Sequence, residues 1–172
     1  MNPKKRWFNR IKWITHSFIA IFEASKSILM TAATVFSYAN LLVLPMWLLL
    51  IVLPKWKVTR FLTDYKLVPI ALSLIYVIFI TLTFQAEGGL DFGSLSSVMN
   101  LFTKENAVLA GWVHYLAFDL LIGMWMVQKN RTLQVHQLLM APCLFFTFMA
   151  GPLGFLLFLS IASIKSKNVW NP

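Results

Sequence analysis

The residues predict an all-α integral membrane protein: a four-transmembrane-helix bundle preceded by an N-terminal amphipathic interfacial helix. Three observations carry this. Hydrophobic residues make up 59% of the 172 and charged residues only 12%, where soluble domains hold roughly 45–50% and about 25%. The charges are also confined: residues 27–54, 67–86, 106–128 and 132–164 contain none except Asp119. Each run reaches the ~20 residues that cross a hydrocarbon core of about 30 Å as a helix. Finally, lipid offers backbone N–H and C=O groups no partner, so each run must be helical, and the runs are too long and too weakly alternating for barrel strands. One cysteine, Cys143, excludes an internally bridged secreted scaffold. Fifteen Phe, seven Trp and four Tyr exclude a disordered chain.

Residues 1–31 read as the interfacial helix, with a fifth crossing as the alternative, which would put Glu23 and Lys26 in or near the bilayer. Lys4, Lys5, Arg6, Arg10 and Lys12 fall in the first dozen residues, and Trp7, Ile11, Ile14, Phe18, Ile21, Phe22 and Ile28 form an apolar stripe, with Asn9, Lys12, His16, Glu23 and Lys26 on the other face. Such a helix lies in the acyl boundary with its basic residues at the headgroups. His16 and Glu23 break any signal-peptide core. The transmembrane domain covers 32–165, with helices near 32–53, 67–85, 107–127 and 139–163, followed by a polar tail over 166–172. Pro45 should bend the first helix by freeing the Leu41 carbonyl. The loop over 86–106 holds Glu87, Asp91 and Glu105, then Leu95, Val98, Met99 and Phe102 at helical spacing. A short surface helix is expected there, capped by Ser94 or Ser96. The fourth run is too long for one simple crossing. His136 and Gln137 place its start in the interface, Pro142 suits a first turn, and Gly151-Pro152 should kink it by freeing the Phe148 carbonyl.

Net charge is +9, which reads as attraction to a membrane surface; no polar domain is present to carry nucleic acid. Four crossings put nine Lys/Arg on the side of the termini against six on the other. Counting only charges near the crossings gives four against six. The basic interfacial helix favours the anionic leaflet, hence both termini cytoplasmic in a bacterial inner membrane.

Chemistry concentrates in the third crossing, Gly111-Trp112-Val113-His114-Tyr115-Leu116-Ala117-Phe118-Asp119. A central intramembrane Asp costs about 2.5–3.5 kcal/mol on translocon scales, so Asp119 must face protein or water. Burial disfavours the charged carboxylate, and no Lys or Arg is embedded in the four runs. Asp119 is therefore expected to be neutral or hydrogen-bonded. Tyr115 lies one turn away on the same face and Trp112 one turn further. His114 is about 140° round the helix from Asp119, so the two can flank one cavity only if most of this helix faces the bundle. The candidate catalytic residues are Asp119, His114 and Tyr115; the candidate ligand-binding residues are Trp112, Asn40 and Tyr38. The purely structural alternative is an interhelical hydrogen bond from Asp119 to Asn40, Tyr38 or Tyr76. His16, His114 and His136 show no metal-ligand spacing, so no metal is expected. GxSxG and P-loop motifs are absent, so neither a serine hydrolase elbow nor nucleotide use is expected.

Phe36-Ser37-Tyr38-Ala39-Asn40-Leu41-Leu42-Val43-Leu44-Pro45-Met46-Trp47, with Leu53-Pro54-Lys55-Trp56, resembles the opening of the abscisic-acid-deficient-type neoxanthin synthase family. The resemblance continues through Gly111–Leu120 and from Pro142-Cys143-Leu144-Phe145-Phe146 to Gly151-Pro152-Leu153-Gly154, over roughly 33–163. It implies xanthophyll chemistry, the conversion of violaxanthin to neoxanthin. This is an isomerisation in which an epoxide opens, a proton leaves and an allene forms, without a cofactor. Such a step needs a donor at the epoxide oxygen and a base near the polyene, for which a protonated Asp119 and a neutral His114 are candidates. Many members carry arginine where this chain has Met124, after Gly123. The basic, Trp-rich N-terminus is unlike a plastid transit peptide. A bacterial-type relative acting on a carotenoid or related isoprenoid is therefore expected, with membrane lipids as partners and a homo-oligomer left open. The alternatives are a non-catalytic lipid or carotenoid binder, or an accessory subunit of a membrane complex; a small transporter has the least support.

Overall fold

The computed structural model describes residues 31–165; the expected interfacial helix and the polar tail lie outside them. The described residues are helical, without strands: α1 (Ala32–Val52), α2 (Lys57–Tyr65), α3 (Leu67–Glu87), α4 (Leu95–Leu101), α5 (Glu105–Leu133) and α6 (Gln137–Lys165). Four of them, α1, α3, α5 and α6, are long and apolar enough to cross a membrane, as the charge-free runs require. The protein is an all-α membrane protein.

Helix α5 is the axis. Half of its most apolar window is buried, against 22–28% for the other three long helices. On α1, Val43, Met46, Trp47 and Leu50 form the buried stripe, while Leu41 and Leu48 point outward. This is the 3–4 spacing of a helix with one protein-facing side. Trp47 lies over Gly123 of α5: a Cβ there would sit 2.6 Å from the indole. The same ring meets Phe148 of α6 at 5.5 Å. Helix α1 continues as one helix through Pro45.

The loops behave differently from one another. Helix α4 matches the expected surface helix: the Ser94 hydroxyl accepts from the Ser97 N–H at 3.1 Å, and Leu95, Met99 and Phe102 are exposed on its apolar side. Helix α2 was not expected. Its nine residues carry Lys57, Arg60 and Asp64, and its buried face consists of Thr59 and Thr63, a polar pair that an apolar stripe search passes over. It reads straight into α3 through Lys66, which adopts the left-handed conformation (φ 53°). Helix α5 runs six residues beyond its expected end because its polar last turns find partners. Gln128 donates to the Thr63 carbonyl at 3.3 Å, Arg131 pairs with Asp64 at 2.9 Å, and the Asn130 amide clasps Val135 by both its N–H and its C=O.

Helix α6 shows the largest departure from expectation. Pro142 falls in its second turn rather than its first. The kink foreseen at Gly151-Pro152 is a reversal. Ala150 is non-helical (φ −154°, ψ 62°), and the chain turns back on itself there. A straight 29-residue helix would be about 43 Å long, yet Lys165, its last residue, donates to the carbonyl of Gln134, just before its start. Gly154 packs directly on the backbone of Thr147 and Cys143. Trp125 of α5 touches both Phe155 and Phe158, at 5.8 and 5.7 Å. The two halves, 137–149 and 151–165, are about 20 and 22 Å long, each short of the hydrocarbon thickness. Helix α6 is thus a re-entrant helical hairpin. Four full crossings would return Lys165 to the end of the bundle where Phe36 meets Trp112; the reversal places it at the other end.

The close approach at Gly154 leaves no room for a methyl group, because the Thr147 N, the Cys143 carbonyl oxygen and the Thr147 hydroxyl all crowd it. Gly154→Ala should lower stability by about 1–3 kcal/mol, read as the thermal unfolding midpoint in detergent; an unchanged midpoint would contradict the hairpin packing. In a Cys143→Ala background, cysteines at Lys55 and Lys165 should react with an impermeant maleimide from the same side of sealed vesicles. The Arg131 guanidinium holds the Asp64 carboxyl below the usual carboxylate range. A depressed folded value means that the pair's stabilisation is complete above about pH 3.9 and is lost as pH falls through the folded value. Both groups are well exposed, so salt should weaken it. Arg131→Gln should flatten that acid limb of the stability–pH curve.

Candidate functional site

Asp119 is the central residue of α5, fourteen residues from each end, about 21 Å along the axis either way. The tip of the α6 hairpin comes to this level. Gly151, the first residue of the returning half, lies against the Asp119 carboxyl so closely that a Cβ would overlap it. Glycine is needed here for approach. The first N–H groups of any helix lack intrahelical acceptors, and the helix dipole makes that end favourable for a carboxyl oxygen.

Tyr115, one turn before Asp119, closes the other side of the tip. Its hydroxyl donates to the Met149 carbonyl at 3.4 Å, and it interacts with both the Gly151 backbone and the Asp119 carboxyl. Asp119 is partly exposed as a residue, but its Oδ2 is buried and has no hydrogen-bond partner among the described residues. Both oxygens thus lie against the hairpin tip, and Oδ2 is buried there without a partner.

The face continues downward. Trp112 stacks at a tilt on Tyr115 (5.7 Å) and on Phe36 (5.3 Å). Its indole N–H donates to Asn40 Oδ1 at 3.1 Å, and the Asn40 amide donates to the Phe36 carbonyl at 2.8 Å. Asn40, Trp112, Tyr115 and Asp119 therefore form one polar ladder shared by α1, α5 and the tip of α6.

Two expected residues are elsewhere. His114 is exposed, stacked on Phe118 (4.5 Å) and tilted against Tyr76 (5.4 Å); the structure does not bring it to Asp119. Tyr38 lines an apolar groove of about 610 Å³ with Leu42, Pro45, Met46, Val68 and Ile75. The expected interhelical partners of Asp119 must also be corrected. Asn40 bonds Trp112, Tyr76 meets His114, and Asp119 instead meets Tyr115 and the α6 backbone, because Gly151 admits main chain where a side chain was anticipated. The Met149 carbonyl and Gly151 were missed as site elements. Their signal was present in the excess length of the fourth run around Gly151-Pro152.

No group of three or more metal-ligating side chains occurs among the described residues. The fold and this ladder define a small helical membrane protein with an acid at the middle of its central helix, against the tip of a helical hairpin. Residues 34–158 match the family model described as ABA DEFICIENT 4-like, and the chain belongs to that family. No curated protein and no solved structure matches it.

Tyr115→Phe removes the hydroxyl and leaves the Met149 carbonyl without that donor. It should cost about 1 kcal/mol, seen as a lowered unfolding midpoint. Trp112→Phe, at the periphery of the ladder, should cost less than Gly151→Ala, which displaces the Asp119 carboxyl from the tip.

Proposed function

We propose that this protein is a membrane isomerase acting on a carotenoid or related isoprenoid, with Asp119 and Tyr115 as its proton-transfer pair. The observation that carries this reading is Asp119 Oδ2, a buried and unpartnered carboxyl oxygen at the middle of α5. A carboxyl used only as a structural cap has reason to satisfy both oxygens. The resemblance to neoxanthin synthase-like proteins supplies the substrate class. Trp112, Tyr115 and Asp119 keep some exposure along one helix face, so an elongated apolar molecule can lie along them from the lipid side.

The chemistry balances without an external oxidant or reductant. Protonated Asp119 gives its proton to the epoxide oxygen, the carbon–oxygen bond opens, and a hydroxyl forms. The carboxylate left behind takes the proton lost from the adjacent polyene carbon, directly or through the Tyr115 hydroxyl, and the acid is restored. In this scheme the proton returns to Asp119 rather than passing to His114, which stands beside Tyr76 and Phe118.

A second reading, a non-catalytic binder of carotenoid or lipid, is favoured by the groove at Tyr38 and Pro45, whose lining holds no Asp, Glu, His, Lys or Arg. Pigment profiles of carotenoid-producing cells expressing the wild type and variants test both. Asp119→Asn should reduce conversion by 10²-fold or more, the ordinary contribution of general acid–base catalysis, with normal yield and melting. His114→Ala should reduce it less than about tenfold on the same scale. Full conversion by Asp119→Asn would rule out the acid role; pigment that co-purifies with the wild type and is never converted would favour the binder.

A further inference from the structure

The end of the bundle opposite Asn40 carries a second site, twelve residues and about 18 Å along α5 from Asp119 and independent of the isomerase reading. The α1–α2 loop, the last turns of α5 and the start of α6 enclose a cavity of about 520 Å³, within the size range of small-ligand sites. Lys55, Arg60 and Arg131 line it, with His136, and no carboxylate is among its lining residues. Asp64 offsets part of this charge through Arg131 and, more weakly, Arg60, and Lys165 adds to it from the adjoining Gln134 carbonyl. The balance stays positive. His136 Nδ1 accepts the Leu138 N–H at 3.3 Å, so in the neutral ring Nε2 carries the proton as a further donor. The floor is different in kind: Met140 and Leu144 line it and are fully buried.

We propose that this cavity binds the phosphate group of a membrane amphiphile, with the anion among Lys55, Arg60, Arg131 and His136 and the chain beginning over Met140 and Leu144. Guanidinium forks match phosphate oxygens geometrically. Basic pockets at the ends of transmembrane helices lie at the depth of lipid headgroups. The apolar floor disfavours a free inorganic anion, and the lining offers no Phe, Tyr or Trp on which a nucleotide base would stack. The phosphate has two chemical sources, an anionic glycerophospholipid or an isoprenoid phosphate, and the experiment separates them.

Full-length protein in a neutral detergent is titrated with dioleoylphosphatidylglycerol, farnesyl monophosphate, dioleoylphosphatidylcholine and inorganic phosphate, and occupancy is read by native mass spectrometry. At least one of the first two should bind tenfold or more tighter than phosphatidylcholine, and whichever binds tighter identifies the source. Lys55→Gln and Arg60→Gln, both at exposed positions, should each weaken that binding about fivefold, the effect of one basic residue near an anionic surface. Arg60→Lys should recover part of the loss, which separates charge recognition from misfolding. The proposal is overturned if phosphatidylcholine binds equally well, if inorganic phosphate matches either amphiphile, or if affinity is unchanged in both glutamine variants.

Discussion

A helix that stops halfway through a bilayer exposes carbonyl and amide groups where no water can reach them, and the architecture of this protein answers that constraint. Each such group left unpaired in hydrocarbon costs several kcal/mol. The reversal of α6 at Ala150 interrupts helical bonding at the depth of Asp119, and Pro152 contributes no N–H of its own. Tyr115 donates to the Met149 carbonyl, and the Asp119 carboxyl lies against Gly151. The intramembrane acid and the re-entrant backbone thus support one another. An Asp at this depth without polar neighbours would be expensive, and the tip without the Asp and Tyr side chains would be under-satisfied.

Several other features follow from the same reversal. The two halves of α6 can lie together only because Gly154 lets one backbone touch the other at Thr147 and Cys143. The returning half lies along the upper part of α5 through Trp125, while Trp47 fills the space over Gly123 between α1 and α5. Small residues therefore sit where main chain or an indole must come close, the usual solution for packing between membrane helices. The polar end is held by side chains instead, through Asp64 with Arg131 and Asn130 with Val135. The Asp64–Arg131 pair is exposed and screened, whereas the Asn130–Val135 contact is part-buried.

The chemistry is divided along α5 in the same way. At mid-depth a single carboxyl group stands among apolar residues, with tyrosine and, one turn further, tryptophan beside it. Near the end, several cations surround a cavity whose floor is hydrocarbon. The proposed proton transfer belongs to the first of these places and the proposed anion recognition to the second. The length of α5 keeps them apart.

The positions of the four long helices, their all-α class, the short helix after Ser94 and the polar face of Trp112, Tyr115 and Asp119 were legible in the residues. Each of these depends on local periodicity or on the cost of charge in lipid, which act on a segment regardless of its neighbours. Helix α2 was hidden because its buried face is Thr59 and Thr63, which only the amide of Gln128 and the rest of the bundle reveal as interior. The separation of His114 from Asp119 was foreshadowed by their 140° offset, but their actual neighbours were not. The sequence alone determined that an acid would sit deep in a membrane and that the last apolar run was too long. Only tertiary packing decided that this run turns back to meet the acid, because the turn depends on whether backbone can touch backbone at Gly154 and carboxyl at Gly151. That fit is set between distant segments and leaves no periodic trace.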